Sequence, residues 1–332
     1  MVLIFSEDCE RTTDEVAQWL ISNGKKFLRI NREDEVKIVN ISPTKGVIEV
    51  EVNGRVYDLC QFSQVWYRRG SLASNCVKAS LAELGNQSYT VQQVGQFLSN
   101  EWKILQHYIF FVMERKKGAL GSFSKSFINK PIVLTIAKEC GLSIPETVIS
   151  GKGSILYNEA LYKPLITKPI SEAETFRNAD GSSSKLLTTP IEGTTFDKNS
   201  EFFPSLIQHN IEKWIELRVF FLKDSFYSMA IFSQNNSRTS IDFRNYDDEK
   251  PNRMVPFLLP KHIEKQLGNL MDKLGLDTGS IDMIVTPQKE YFFLEVNPIG
   301  NIEMVSKNCN YPIEMDIAKY LAYEKGREVI AQ

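Results

Sequence analysis

Three side chains near the end of the chain have the types and spacing of a site for a hard cation. Asp282 lies in SIDMIVTP, and Glu295 and Asn297 lie two residues apart in EYFFLEVNP. Thr286, Pro287, Gln288, Lys289 and Glu290 between them are suited to a turn, so the two segments are predicted to form a β-hairpin. Alternation along a strand puts Glu295 and Asn297 on one face and Val296 on the other, and pairing can bring Asp282 beside them. Two carboxylates and an amide oxygen on one face would bind a hard cation and leave positions open for phosphate oxygens. The plain alternative is an edge hairpin with three solvated polar residues. It explains Glu295 poorly, because a buried carboxylate flanked by Phe293, Leu294 and Val296 needs a partner.

Composition narrows the metal and the partner. The five cysteines (Cys9, Cys60, Cys76, Cys140, Cys309) contain no Cys-x-x-Cys pair, and the three histidines (His107, His209, His262) are not spaced as ligands. A disulfide framework, a zinc knuckle and a zinc hydrolase are therefore not expected. Oxygen ligands point to magnesium or manganese. The formal net charge is -2, so no strong basic field draws in nucleic acid. No run approaches the roughly 20 apolar residues of a membrane span, and MVLIFSEDCE is too short for a signal peptide. A cytoplasmic protein with neither nucleic acid nor membrane as partner is expected.

The elements that must carry such a site read as α/β. VLIF (2–5) is a short strand. A helix follows, with Thr12 or Thr13 as N-cap, Val16, Trp19 and Leu20 as its apolar stripe, and Gly24 as its stop. Short strands FLRIN, VKIVNI, VIEVEVN, VYDL and VWYRRG come next, with Asn53-Gly54 as a hairpin signal. Residues 76 to 122 read as helical, and GALGSFSKSFINK (118–130) as a Gly- and Ser-rich boundary. A helix from Lys130 to Cys140 follows. Beyond it LITKPI, the long run 216–234 and the final hairpin read as strands, and the polar stretch 172–190 as a mobile loop. The expected division is 1–122 and 123–332, the latter split near 205/206.

In this order the residues resemble the ATP-grasp superfamily, whose members end in an antiparallel sheet with an Asp and a Glu-x-Asn holding magnesium on ATP. The resemblance implies an α/β (α+β) chain with an N-terminal pre-ATP-grasp domain, a central domain and a C-terminal antiparallel-sheet domain. It assigns Lys130 and Lys168 to the nucleotide phosphates. It assigns the backbone of Gln208, His209, Asn210 and Ile211 to the adenine edge, with the Gln208 side chain beside it, and places Glu216 with Arg218 on the next strand. Arg218 is expected near the phosphates, and Asp242 and Arg244 over the acyl-phosphate position. Asp282, Glu295 and Asn297 become ligands of Mg2+, expected as two ions, with Mn2+ as the alternative.

The combination VWYRRG, GLSIPET, FFPSLIQHNIEKWIELRVFFL, DFRNYDDEKPNR and FLEVNPIGNIEMVSKNCNYPIE narrows the resemblance to the peptide maturases of grasp-with-spasm systems, the graspetide synthetases. It implies an ATP-dependent ligase that macrocyclises a precursor peptide with a leader and a core rich in Thr/Ser and Glu/Asp. A Glu or Asp side chain would be activated as an acyl phosphate and attacked by a Ser/Thr hydroxyl or a Lys amine. Arg218, Arg244 and Asp242 would be the catalytic residues, and a homodimer is expected by analogy. A RimK-like ligase that adds amino acids shares the same pattern. A non-catalytic ATP-binding regulator would keep the fold, but the complete cationic and metal set argues against it.

Overall fold

The computed structural model describes residues 1–73, 88–160, 163–171, 175–177, 180–191, 197–235, 239, 241–243, 245 and 249–322. It opens with β1 (Val2–Ser6), α1 (Arg11–Ser22), β2 (Phe27–Asn31), β3 (Val36–Ser42), β4 (Val47–Val52), β5 (Arg55–Asp58) and β6 (Gln64–Tyr67). The long helix α2 (Ser88–Glu114) and β7 (Gly118–Leu120) follow. Strands β2-β1-β6-β7 form a parallel sheet, and β3-β4-β5 an antiparallel one. Asn53 and Gly54 both have positive φ, 50° and 75°, so the Asn-Gly hairpin turn is present as predicted.

Three expectations for this part are corrected. The N-cap of α1 is Glu10, whose carboxylate accepts from Thr13 N, while Thr12 and Thr13 lie inside the helix. Trp19 is 43% exposed, because Val16, Ala17 and Leu20 supply the buried face. The helix predicted over 76–122 ends at Glu114, and Gly118–Leu120 pairs with β6 as a strand instead. Its predicted start falls among residues 74–87, outside those described.

The rest of the chain supplies α3 (Lys130–Glu139), β8 (Thr147–Lys152), α4 (Gly153–Ala160), β9 (Leu165–Lys168), β10 (Thr175–Arg177), β11 (Ser183–Lys185), β12 (Thr189–Ile191) and β13 (Glu201–His209). After these come β14 (Ile215–Leu222), β15 (Ser225–Ile231), β16 (Met254–Pro256), α5 (Lys261–Leu274), β17 (Thr278–Val285), β18 (Tyr291–Asn297), α6 (Glu303–Cys309) and α7 (Ile313–Ala322). Strands β12-β9-β13-β8 form one antiparallel sheet, and β16-β15-β14-β17-β18 a second. The polar stretch predicted as a mobile loop holds the small hairpin of β10 and β11.

The five-stranded sheet is the centre of the molecule. One face carries Ile215, Leu217, Val219 and Phe221 of β14 with Ile281, Met283 and Val285 of β17, and packs on α3 and α5. Helix α5 presents Ile263, Leu267, Leu270 and Met271 at helical spacing, each contributing about 1.5–3 kcal/mol by burial. The other face divides along its length. Phe220, Leu222, Met229 and Ile231 pack on α6, α7 and the N-terminal sheet. The remainder of that face carries the charged residues Glu216, Arg218 and Asp282. Among the described residues no helix is long and apolar enough to cross a membrane.

Candidate nucleotide and metal site

The predicted hairpin is present, and its register places the acids together. Asp282 pairs with Glu295, and Ser280 pairs with Asn297. A bulge follows at Leu294, because Met283 pairs with Phe293. The bulge lets Phe293 and Val296 both enter the core under the sheet, although strict alternation would put them on opposite faces. It also turns Glu295 away from that core, next to Asp282, which is a common use of bulges near functional sites.

Arg218 pairs with Asp282 across β14 and β17. Its Nη1 donates to both Asp282 carboxylate oxygens at 2.7 Å. Both side chains are buried, so their pairing offsets part of the cost of desolvating each charge. Lys130 is the first residue of α3, whose N-cap Asn129 accepts from Ile132 N. Its Nζ lies 3.8 Å from Glu295 Oε2 and donates to the carbonyls of Pro169 and Ser171. It therefore joins the metal end of the site to the turn just after Lys168.

One cavity gathers most of the predicted residues. It is lined by Lys168, Gln208, His209, Asn210, Ile211, Glu216, Asp242, Asp282 and Glu295, with Pro145, Ile166, Ile284 and Leu294 as apolar wall. Lys168 is at the end of β9. The hinge residues end β13, with His209 N donating to Glu146 O and Asn210 N to Pro164 O. Those two N–H groups are committed to the protein. The His209 ring lies 3.1 Å from Glu159 Oε2.

Glu216 illustrates why the electrostatics are tuned. Burial raises its pKa above the usual carboxylate value, and the Asp242 charge adds to the rise; Lys213 and a hydrogen bond from Ser233 oppose it. The Ser233 hydroxyl donates at 2.6 Å and Lys213 Nζ at 3.2 Å. Lys213 also donates to Ile241 O at 2.8 Å, while Thr188 N donates to Asp242 Oδ2 at 3.3 Å. The 241–243 segment is thus tied over the cavity from two sides. Lys213 was not foreseen from sequence. Its signal was a lysine three residues before Glu216, separated from it only by Trp214 and Ile215.

Of the described predicted residues, Lys130, Arg218 and Asn297 are not in the cavity lining, although Lys130 and Arg218 reach its carboxylates Glu295 and Asp282. Asn297 is exposed, and its Oδ1 accepts from Ile299 N at 3.0 Å. Arg244 lies outside the described residues. The turn after Asn297 is also gripped from the N-terminal sheet. Arg68 and Arg69 donate to Ile299 O at 3.1 and 3.3 Å, and Glu10 and Glu7 pair with them. Burial pulls Arg68 down to about 10, which still leaves it charged at neutral pH. Gly300 packs so closely that a Cβ there would lie 2.4 Å from Ser280 Cβ.

The donor set fits a hard cation. Asp282 and Glu295 are oxygen donors opposite each other on one face. Among the described residues no three His, Cys, Asp or Glu side chains form a metal group. A cation held by Asp282 and Glu295 would need further oxygen ligands from outside that set, such as an amide.

No family model matches the chain, and no curated protein matches it. Solved structures do. The RiPP-associated ATP-grasp ligase of Chryseobacterium gregarium, in complex with ADP and a leader and core peptide, is 22% identical over 96% of this chain and 96% of its own, with a TM-score of 0.79. Macrocyclase MdnC of Microcystis aeruginosa, bound with precursor peptide MdnA, is 28% identical over 97% and 99%, with a TM-score of 0.76. The ATP-grasp ligase PsnB, complexed with a minimal precursor variant, Mg and ADP, is 15% identical over 96% and 97%, at 0.70. The fold expected from the order of motifs is therefore the fold observed.

Proposed function

This chain belongs by fold with the ATP-grasp ligases, and from that premise we propose that it macrocyclises a ribosomally made precursor peptide. A Glu or Asp carboxylate oxygen of the peptide attacks the γ-phosphorus of ATP. The bond to the β,γ-bridging oxygen breaks, ADP leaves and an acyl phosphate remains. A Ser or Thr hydroxyl, or a Lys amine, of the same peptide then attacks the acyl carbon. Phosphate departs with the former carboxylate oxygen, the nucleophile loses its proton, and an ω-ester or ω-amide ring closes.

The observation that carries this reading is the convergence of Lys168, the 208–211 hinge, Glu216, Asp242, Asp282 and Glu295 on one cavity. Phosphoryl transfer is mainly positioning and charge stabilisation. Lys168 and Lys130 are assigned to the ATP phosphates as point charges. Arg218 and Arg244 are assigned to the transferring phosphoryl group as forked donors. Asp242 orients Arg244 or assists deprotonation of the nucleophile. Asp282, Glu295 and Asn297 would hold Mg2+, which when bound neutralises the phosphoryl oxygens; two ions are expected, with Mn2+ as the alternative. The likeness to MdnC bound with its precursor peptide supports a peptide with leader and core as the substrate, and a homodimer remains part of the proposal.

The test is mass spectrometry of a short Thr/Ser- and Glu/Asp-rich peptide encoded beside the gene, after incubation with ATP and magnesium. Loss of one water per ring, absent with Asp282→Ala or Glu295→Ala, is the expected result. A gain of whole amino-acid masses on a protein would favour the RimK-like ligase. Nucleotide binding without ADP release would make the chain a regulator.

A further inference from the structure

The carboxyl ends of β1 and β6 lie side by side in the parallel N-terminal sheet, and the chain leaves β6 as Arg68-Arg69-Gly70. The backbone N–H groups of Arg68 and Arg69 both donate to Phe5 O, at 3.0 and 3.4 Å. Gly70 has φ 90°, and a Cβ there would lie 2.6 Å from Ser6 O, so this turn needs glycine. The two side chains therefore leave a fixed backbone. Arg68 is 4% exposed and has no slack. Its Nε and Nη2 meet Glu10 Oε1 at 3.2 and 3.1 Å, while Glu10 Oε2 accepts from Thr13 N and Oγ1. Its Nη1 is left for Ile299 O, at 3.1 Å. In an open α/β sheet the crevice beyond the carboxyl ends of the strands is the usual place for a ligand. Here Ile299, from the turn after β18, meets it.

What the arginines hold is the residue that fixes Asn297. Ile299 O takes donors from both guanidinium groups, which uses both of its lone pairs in charge-assisted bonds. Ile299 N donates to Asn297 Oδ1 at 3.0 Å, and Gly300 N to Asn297 O at 3.2 Å. The Ile299 side chain packs on the core of the N-terminal sheet. From the opposite side Ser280, the strand partner of Asn297, would meet a Gly300 Cβ at 2.4 Å. The turn is thus closed between the two sheets, and Asn297 Oδ1 keeps one lone pair for a cation.

Resting on the metal reading above, we infer that Arg68, with Arg69 beside it, is a positioning residue for the metal end: through the Ile299 carbonyl it sets where Asn297 presents its oxygen. Among the described residues the N-terminal sheet lends the cavity no lining residue, yet by this contact it governs the affinity for the cation. Partners that orient a metal ligand are typically worth about 10–100-fold in metal affinity.

Titration of the ADP complex with manganese, a paramagnetic stand-in for magnesium, read by electron paramagnetic resonance, tests this together with amide hydrogen exchange of the ligand-free protein. Arg68→Lys can keep the Glu10 pair but lacks the second arm. In that variant the Ile299 N–H should exchange faster than in wild type, and manganese should bind about 10–100-fold more weakly, with ADP affinity in the absence of metal unchanged. Arg69→Met leaves the Arg68–Glu10 pair in place and should weaken manganese about tenfold. Val16→Ala, on the buried face of α1, should lower the unfolding temperature but leave manganese affinity at the wild-type value, which separates positioning from a general loss of stability. Manganese binding at wild-type strength by either arginine variant would overturn the inference, and so would an equal loss in Val16→Ala. Failure of the wild-type ADP complex to bind manganese would instead overturn the metal reading itself, and this inference with it.

Discussion

Replacing Arg218 by methionine isolates the charge pair on which the metal end depends. Arg218 and Asp282 are each only 10% exposed, and one guanidinium nitrogen holds both carboxylate oxygens. Removing the arginine takes from buried Asp282 the cation bonded to both of its oxygens, and breaking a buried pair typically costs about 3–5 kcal/mol. Arg218→Met with Asp282→Asn removes the Asp282 charge as well. The double variant should recover much of the loss, giving a coupling of about 2–3 kcal/mol. Urea unfolding followed by tryptophan fluorescence reads both numbers. Magnesium-ATP should stabilise Arg218→Met more than wild type, because the cation meets a carboxylate no longer held by the Arg218 guanidinium. A loss under about 1 kcal/mol in the single variant, or strictly additive losses in the double, would refute the reasoning, since Asp282 would then not be a buried, ionised group.

Three other perturbations report on the parts around that pair. Burial alone would raise the Glu10 carboxyl, but the Arg68 charge, the Thr13 hydrogen bonds and the Arg69 charge outweigh it and leave the pKa lowered. The stability that Glu10 contributes is therefore full above its unfolded value near 4.5 and fades as pH falls through the lower folded value; Glu10→Gln should lose stability at neutral pH and match wild type in acid, measured by urea unfolding across pH. Lys213→Met should cut ring formation at least about tenfold by releasing the 241–243 segment, a positioning loss of the size expected for a misplaced group. Thermal unfolding of the same variant separates this positioning loss from loss of the fold. Gly300→Ala should push the turn after β18 away from Ser280, cost about 1–3 kcal/mol and raise the magnesium concentration needed for half-maximal turnover.

The legible parts of this chain were those where polarity breaks an apolar run. Asp282 and Glu295 stood out because carboxylates inside SIDMIV and YFFLEVN need partners, and the Asn-Gly turn and the Lys130 helix start carried local signals. What sequence could not give depended on tertiary pairing. The bulge at Leu294 decides which face Glu295 takes, and no residue type marks it. Strand β7 was read as helix because Gly118–Leu120 has no period of its own and is a strand only by pairing with β6. Trp19 looked like part of the α1 stripe, yet Ala17 fills the buried position and the indole stays outside. The tie from Lys213 to Ile241 arises from residues distant in sequence. The Arg68–Arg69 grip on Ile299 spans more than two thirds of the chain, so its target was invisible, although the two arginines themselves were noted.

The central claim is that a peptide carboxylate is activated by ATP at the cavity bounded by Lys168, Asp242, Asp282 and Glu295. Oxygen-isotope labelling of the precursor's Glu and Asp side chains tests it most directly. The account predicts that released phosphate carries one labelled oxygen for each ring closed, with ADP as the other product. Unlabelled phosphate accompanying ring closure, or AMP and pyrophosphate as products, would contradict it.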